Sequence, residues 1–280
     1  MTSEVKDTAT YELQLERRAE QRYRQKILFG QVALIALVMA LWHFTSGTLI
    51  DRFYIGSPAG VVEVLMNDLV DPRFYRDLRV TGLEMAGGYL LGAASGIAVG
   101  LLFARWPVAA QISDPFFTGL NSLPRIALAP LLIIWFGIDL TPKIVLAATL
   151  VFFVTFSTTL AGIRSVDSAL VDIARVVGAS ERQVFRHVLL PGAAAWIING
   201  LKLSLPYALI GVIVGEFVVS STGLGHRLNF YSTSYNTNGT FAMLLVMMAF
   251  MMGLNALASV VERRALRWRA GISEFGQPTY

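Results

Sequence analysis

Three polar side chains lie inside long apolar stretches of this sequence. Asn121 and Arg125 are about one helical turn apart in a proline-rich segment, and Glu216 lies deep in a later apolar run. Polar and ionisable groups are costly inside a membrane-length apolar segment, so each of the three is a functional candidate by default. Glu216 could line a solute pathway, pair with Arg125 or accept backbone hydrogen bonds, and the sequence leaves these alternatives open. We take Asn121, Arg125 and Glu216 as the candidate pathway residues.

The groupings needed for catalysis or metal binding do not occur in the sequence. The chain has no cysteine, and its three histidines have no partner at the spacing of a metal site. A G-x-x-x-x-G-K-[ST] loop, a nucleophile elbow and a paired set of carboxylates are also missing. We therefore expect no catalytic residue, metal or cofactor on this chain, and no nucleic-acid partner. Any use of ATP would depend on another subunit.

The composition indicates a protein embedded in a lipid bilayer. Apolar residues make up 55% of the chain, charged residues only 15%, and the mean hydropathy is +0.58. Soluble domains carry about 25% charged residues. A run of roughly 20 apolar residues in helical form crosses the ~30 Å hydrocarbon core.

Six apolar segments have that length, so we predict an all-α polytopic membrane protein with six transmembrane helices. The transmembrane domain covers residues 27–262, between a charged N-terminal segment, 1–26, and a C-terminal tail, 263–280. Pro115, Pro124 and Pro130 should break the third span. Residues 51–79 read mostly as loop, with a short helix from Ser57. The predicted spans are approximately 27–49, 80–103, 114–138, 144–163, 193–220 and 241–261.

The second span carries a ladder of glycines at every fourth position, Gly88, Gly92, Gly96 and Gly100. Such a bare stripe allows another helix to approach closely. The partner could be a helix of the same subunit or one across a dimer seam. Glu84 lies near the outer end of this span and is expected at the interface.

A polar stretch, residues 167–191, separates the fourth and fifth spans. Its apolar spacing predicts two short amphipathic helices. Asp167 or Ser168 suits the cap of the first helix, Gly178 a left-handed stop, and Ser180 with Gln183 a capping box for the second. Pro191 should end the second helix. Such a pair exposes an apolar face unless a partner covers it.

Lysine and arginine counts orient the chain in the membrane. With the N-terminus inside, fifteen of the 23 basic residues fall on the inner side and six on the outer side. The positive-inside rule therefore predicts that both termini and the 167–191 stretch are cytoplasmic.

The 167–191 stretch resembles the signature loop of permease subunits in binding-protein-dependent ATP-binding-cassette (ABC) importers. Asp172-Ile173-Ala174 takes the place of the family's Glu-Ala-Ala, and Gly178, Val188, Leu190 and Pro191 fall at the family's spacing. Asp for Glu, Ile for Ala and Val for Ile are departures. A second run, LPRIALAPLLIIWFGI at 123–138, is similar to the sulfonate, taurine and nitrate branch, as is Glu216 followed by a Gly-Leu-Gly turn.

The resemblance implies a type I ABC importer permease fold with cytoplasmic coupling helices between spans four and five. It implies a multi-pass subunit of the inner membrane that works with three partners: a cytoplasmic ATPase dimer, an extracytoplasmic substrate-binding protein and a second permease copy, expected to form a homodimer with this one. ATP and Mg are expected on the ATPase. The solute would be a small organic anion such as a sulfonate or taurine, or nitrate. The residues expected to couple to the ATPase are Asp172, Ala174, Gly178, Ala179, Val188, Leu190 and Pro191.

Two alternatives remain open from the sequence. A secondary transporter driven by an ion gradient often shows internal repeats and matching half-helices, whereas this chain has one broken span and no convincing repeat. A permease of the same design could instead carry a pyrimidine precursor, riboflavin or an aromatic acid.

Overall fold

The computed structural model describes residues 2–265 and is helical almost throughout that range. A 3₁₀ turn, Arg125–Leu128, precedes α6, and a π-helical segment, Phe185–Leu189, precedes α10. The C-terminal tail predicted at 263–280 lies outside the described residues from 266 onward. The helices are α1 Thr2–Thr45, α2 Arg52–Ile55, α3 Pro58–Val70, α4 Pro72–Arg105, α5 Pro107–Ser122, α6 Ala129–Phe136, α7 Leu140–Arg164, α8 Ser168–Val176, α9 Glu181–Val184, α10 Leu190–Val218, α11 Leu224–Thr233 and α12 Thr237–Ala265.

The number of membrane spans agrees with the six predicted if the broken segment counts as one. Five helical stretches in the described range are long and apolar enough to cross a bilayer. The helices on either side of Pro124 form a sixth candidate, but they are bent by 81°. Proline lacks a backbone N–H donor and disfavours helical backbone angles for the residue before it, which accounts for the break.

The region before the second span was predicted less accurately. Ser57 caps α3 as expected, its hydroxyl oxygen accepting the Gly60 N–H at 3.1 Å. Residues 72–79, predicted as loop, are instead the first turns of α4. Asp71 caps that helix by accepting the Arg73 N–H at 3.0 Å, and Pro72 occupies its first position.

Three helices, α4, α7 and α10, form the centre of the molecule. The glycine ladder of α4 faces α7 of the same subunit, and a Cβ added at Gly92 would lie 2.5 Å from the Ala148 carbonyl oxygen. Of the two partners considered for the glycine ladder, the structure therefore shows a helix of the same subunit. Gly211 of α10 also approaches α7 closely, at Ala147. The glycines of α4 and α10 let the three backbones pack closely around a core of Met85, Val151, Leu205 and Val212.

The bundle has two ends. We call the end that carries residues 164–191 the loop end, and the end that carries residues 219–237 the opposite end. At the opposite end, α3, α11 and the start of α12 pack against the first turns of α4. The apolar part of α1, Arg22–Thr45, is exposed along its length and touches the bundle only near its end, where Trp42 donates to the Ile55 carbonyl at 3.0 Å.

Candidate functional site

The loop end presents the two short helices predicted from the 167–191 stretch. Asp167 caps α8 by accepting the Ala169 N–H at 2.9 Å. Gly178 ends it with φ +90°, while the Gly178 and Ala179 amides donate to the Arg175 and Ala174 carbonyls at 2.9 and 3.0 Å. These two bonds define a Schellman motif. The predicted cap and the predicted left-handed stop are both confirmed.

The second short helix does not end at Pro191, so that prediction was wrong. The capping box of Ser180 and Gln183 is present, and the Gln183 side-chain oxygen accepts the Ser180 N–H at 2.8 Å. From Glu181 the chain then runs as one helical stretch to Val218. The π-helical segment before Pro191 widens the backbone where the proline supplies no N–H, which lets the helix continue.

The face of α8 that lies away from the bundle is apolar and uncovered. The exposed fractions are 53% for Leu170, 61% for Ile173, 89% for Val176 and 82% for Val177. By contrast, Val184 of α9 is buried and anchors the second helix. The structure therefore has the uncovered apolar face that the sequence predicted, at the place where a partner subunit can reach it.

The predicted coupling residues are distributed over this loop. The Asp172 carboxylate is exposed and lies 3.9 Å from the Arg175 guanidinium, which pairs more closely with Glu181 at 3.0 Å. Hydrogen bonding to Glu181 and its charge raise the pKa of Arg175. Two of the remaining coupling candidates are exposed, Gly178 and Pro191. The others are half-buried: Ala174, Ala179, Val188 and Leu190.

Asn121 and Arg125 lie together at the bend between α5 and α6. The Arg125 guanidinium donates to the Asn121 carbonyl oxygen at 3.1 Å and to the Asn121 side-chain oxygen. It also stacks over the Phe153 ring of α7, at 4.2 Å from the ring centroid. Asn121 and Phe153 line a cavity of about 550 Å³ between α5 and α7, which reaches Arg164 at the loop end.

Glu216 is not part of that cluster, so the sequence-based alternative of an Arg125–Glu216 pair is not realised in the structure. Its buried carboxylate accepts the Thr81 hydroxyl at 2.6 Å and the Gly225 N–H at 2.5 Å. A Cβ at Gly223 would overlap the same carboxylate. Glu216 therefore caps the start of α11, and the Gly-Leu-Gly turn closes around it.

A buried ion pair beside Glu216 was missed by the sequence analysis. The Lys143 ammonium donates to Glu84 at 2.7 Å and to the Ser220 hydroxyl at 3.1 Å. Both charged side chains are almost fully buried, so the prediction that Glu84 lies at the interface was wrong. Glu84 and Lys143 come together only because α4 and α7 are in glycine-mediated contact. The signal available in the sequence was an acid and a base near the outer ends of the second and fourth spans.

Arg227 of α11 is the centre of a second missed cluster, at the opposite end. Its guanidinium contacts Asp68 at 2.6 Å, Asp77 at 3.0 Å and Asp71 at 3.3 Å. Burial alone would lower the pKa of Arg227, but its hydrogen bonds and the charges of Asp77 and Asp68 raise it. The pKa of Asp71 is lowered, chiefly by the Arg73 N–H.

Tyr231 completes this cluster by donating to Asp68 at 2.9 Å. Its burial and that hydrogen bond raise the pKa of Tyr231 to about 12. The acids come from α3 and α4, far from α11 in sequence, so spacing alone could not group them. The unusual number of aspartates at 68–77 was the only local sign.

Comparison with known proteins agrees with the predicted fold. A model of the family described as binding-protein-dependent transport system inner membrane component matches residues 96–267. The putative aliphatic sulfonates transport permease protein SsuC of Bacillus subtilis is 30% identical over 237 residues, which cover 84% of this chain and 86% of SsuC. The riboflavin transport system permease protein RibX of Chloroflexus aurantiacus is 29% identical, over 90% of this chain and 94% of RibX.

A solved structure of the inward-facing MetNI methionine ABC transporter has a similar fold. Its TM-score is 0.59 at 21% sequence identity, covering 69% of this chain and 94% of the matched chain. The family model covers more than half of the chain, and SsuC is matched over most of its length. This chain therefore belongs to the family of binding-protein-dependent transport system inner membrane components, as a multi-pass permease of an ABC importer in the branch of the sulfonate permeases.

Proposed function

We propose that this chain imports a small organic anion, such as an aliphatic sulfonate, across the inner membrane. A substrate-binding protein delivers the solute at the opposite end of the bundle, and a cytoplasmic ATPase dimer drives the gate from the loop end. The observation that carries the proposal is the uncovered apolar face of α8, which offers a docking surface for the ATPase. ATP and Mg belong to that partner.

Coupling would run along the stretch from Glu181 to Val218. This stretch is helical throughout, so a displacement of α9 is transmitted to the opposite end without an intervening loop. There Glu216 holds the first turn of α11, and Arg227 ties α11 to α3 and α4. ATP can bias the gate only if the loop makes different contacts with the ATPase in its two states.

The orientation and assembly are part of the proposal. The excess of basic residues at the loop end supports a cytoplasmic location for that loop and for both termini. The exposed apolar part of α1 supports packing against further protein or lipid rather than water. We propose two copies of the permease in the importer, each with its own coupling loop.

The solute class is supported by the sulfonate permease SsuC at 30% identity and by Arg125, which lies beside the cavity between α5 and α7 and contacts its lining residues Asn121 and Phe153. A second candidate solute is riboflavin, because RibX matches a larger share of this chain at nearly the same identity. Competition of labelled solute uptake by ethanesulfonate and by riboflavin separates the two candidates.

The docking proposal is tested by pull-down of the tagged chain from mild detergent. We expect a cytoplasmic ATPase in stoichiometric amount, and its loss from Val176→Asp, because a charge would enter an apolar contact. Val70→Asp is the matched control, since Val70 is also an exposed valine but lies on α3 at the opposite end, outside the predicted spans. The proposal is wrong if the wild-type chain purifies alone and transports in liposomes with an ion gradient and no ATP.

A further inference from the structure

We propose that the Arg125 guanidinium binds the anionic head of the solute at the bend between α5 and α6, and that phenylalanine rings of α5 and α7 cover the apolar part of the solute. The inference rests on the proposed import of an organic anion and names the site that would recognise it. Its basis is the charge, the geometry and the lining of the cavity beside Arg125.

The charge of Arg125 is uncompensated within the protein. Lys143 and Lys202, the other basic residues well inside the described spans, each bind a glutamate, at 2.7 and 2.8 Å. Among the described side chains, no carboxylate lies within salt-bridge distance of Arg125, and its Nε is buried without a hydrogen-bond partner. A cation held partly out of water with an unused donor has a strong preference for an incoming anion.

The position of the guanidinium is held from two sides. Asn121, one turn earlier on α5, accepts from one terminal nitrogen, and Phe153 of α7 supports the planar group from its face. These contacts leave the other terminal nitrogen of the guanidinium free to donate. An oxygen of a sulfonate or carboxylate can accept a charge-assisted hydrogen bond from that nitrogen.

The cavity beside the bend has the size and lining for a small amphipathic anion. Its volume of about 550 Å³ lies in the range of roughly 300–1,000 Å³ that is usual for ligand pockets. Phe117, Phe153 and Phe156 form an apolar wall, and Thr118, Asn121 and Ser157 supply polar groups. Asp114 and Arg164, which carry opposite charges, also line the cavity, and Arg125 borders it through its contacts with Asn121 and Phe153. The pocket therefore suits a short alkyl or aryl group bearing one negative charge.

This arrangement predicts selection by charge more than by chain length. The anion and Arg125 neutralise each other in a medium of low dielectric constant, whereas a neutral analogue leaves the guanidinium unpaired. One methylene more or less changes binding in an apolar pocket only by a modest factor. Glu216 has no part in this recognition, because its carboxylate is used by Thr81 and Gly225.

The test measures binding of radiolabelled ethanesulfonate to the full chain in lipid nanodiscs, with ethanesulfonate or neutral ethanesulfonamide as competitor. We expect competition by ethanesulfonate only. Arg125→Gln should weaken binding by about tenfold to a hundredfold, the range for a charge-assisted hydrogen bond. Arg125→Lys should keep part of the affinity, because it keeps the charge and loses the planar group that stacks on Phe153. Arg105→Gln, at an exposed cation outside the cavity lining, should bind like the wild type.

Co-purification of the ATPase is recorded for every variant in the same preparation. Unchanged binding in Arg125→Gln, equal competition by the sulfonamide, or no binding by the wild type each overturns the inference. If the ATPase still co-purifies in those cases, the importer assignment stands and only the site is wrong. If Arg125→Gln does not fold, the comparison of Arg125→Lys with the wild type, together with the sulfonamide competition, decides the question.

Discussion

At the scale of single residues, Gly178 is needed for its backbone conformation and not for the space it leaves. Its φ of +90° lies in the region that side chains disfavour, yet an added Cβ would meet no atom within 4 Å. A substitution there changes the joint between α8 and α9 without a clash. A substitution at Gly178 therefore tests how the geometry of the loop affects its contact with the ATPase.

We predict that Gly178→Val destabilises the loop by about 1–2 kcal/mol, the cost of a left-handed conformation for a side chain, with more for a β-branched one. The protein should insert in the membrane and lose its ATPase or its coupled transport. Gly178→Asn is the matched control, since asparagine tolerates this conformation. The measurement is ATPase co-purification and solute uptake. Normal uptake by the valine variant contradicts the coupling role of the loop.

Arg227 ties α11 to α3 and to the first turns of α4 at the opposite end. Its side chain is only 12% exposed and neutralises aspartates on two other helices. Removal of one partner of a buried ion pair leaves charge without compensation and costs about 3–5 kcal/mol. Arg227→Gln should therefore lower the thermal unfolding temperature in detergent strongly.

Two further variants separate charge from packing at Arg227. Arg227→Gln combined with Asp77→Asn should recover part of the lost stability, because one unpaired carboxylate is removed. Arg73→Gln removes an exposed arginine of the same region and should change the unfolding temperature little. Equal unfolding temperatures for Arg227→Gln and the wild type would show that the cluster does not hold α11.

At the scale of helices, the close contact between α4 and α7 organises the bundle. The glycines of α4 bring the two backbones together, and that approach places Lys143 beside Glu84 and Thr81 beside Glu216. The buried polar contacts at the opposite end thus depend on a stripe of residues without side chains. A helix with alanine at the same positions would hold the charges farther apart.

We predict that Gly92→Ala destabilises the protein by about 1–3 kcal/mol, because its Cβ would meet the Ala148 carbonyl oxygen at 2.5 Å. Gly253→Ala is the control in α12, where an added Cβ meets nothing within 4 Å. Alanine in a helix interior is favourable there by about 1 kcal/mol. Thermal unfolding in detergent should fall for the first variant and stay or rise for the second. The reverse order would rule out the α4–α7 contact.

At the scale of the whole molecule, the proposed orientation can be measured because the chain has no cysteine. Arg182→Cys at the loop end and Ser234→Cys at the opposite end place single thiols at exposed positions. In intact spheroplasts, an impermeant maleimide should label Ser234→Cys at once. Arg182→Cys should react only after the membrane is opened. Labelling in the opposite order would invert the topology and remove the loop from the ATPase.

Several features were predictable because they depend on neighbours in the sequence. The helix cap at Asp167, the stop at Gly178 and the exposed apolar face of α8 follow from local hydrogen bonds and helical spacing. Pro191 was misjudged because a proline ends a regular helix, whereas here the preceding π-helical turn accommodates it. Residues 72–79 were misjudged because their charges concealed helix turns that extend beyond the apolar span.

The sequence by itself determined the membrane class, the number of apolar spans, the likeness to importer permeases and the two-helix loop, because hydropathy, charge bias and helix signals are local. Tertiary structure alone decided which polar groups meet. Arg125 joins Asn121 and Phe153, Glu216 caps α11 with Thr81, and Lys143 binds Glu84 across 59 positions of the chain. Each contact forms only when two helices are placed at the right relative height and are rotated so that the two side chains face each other. The spacing of residues along the chain does not encode the relative position of two helices.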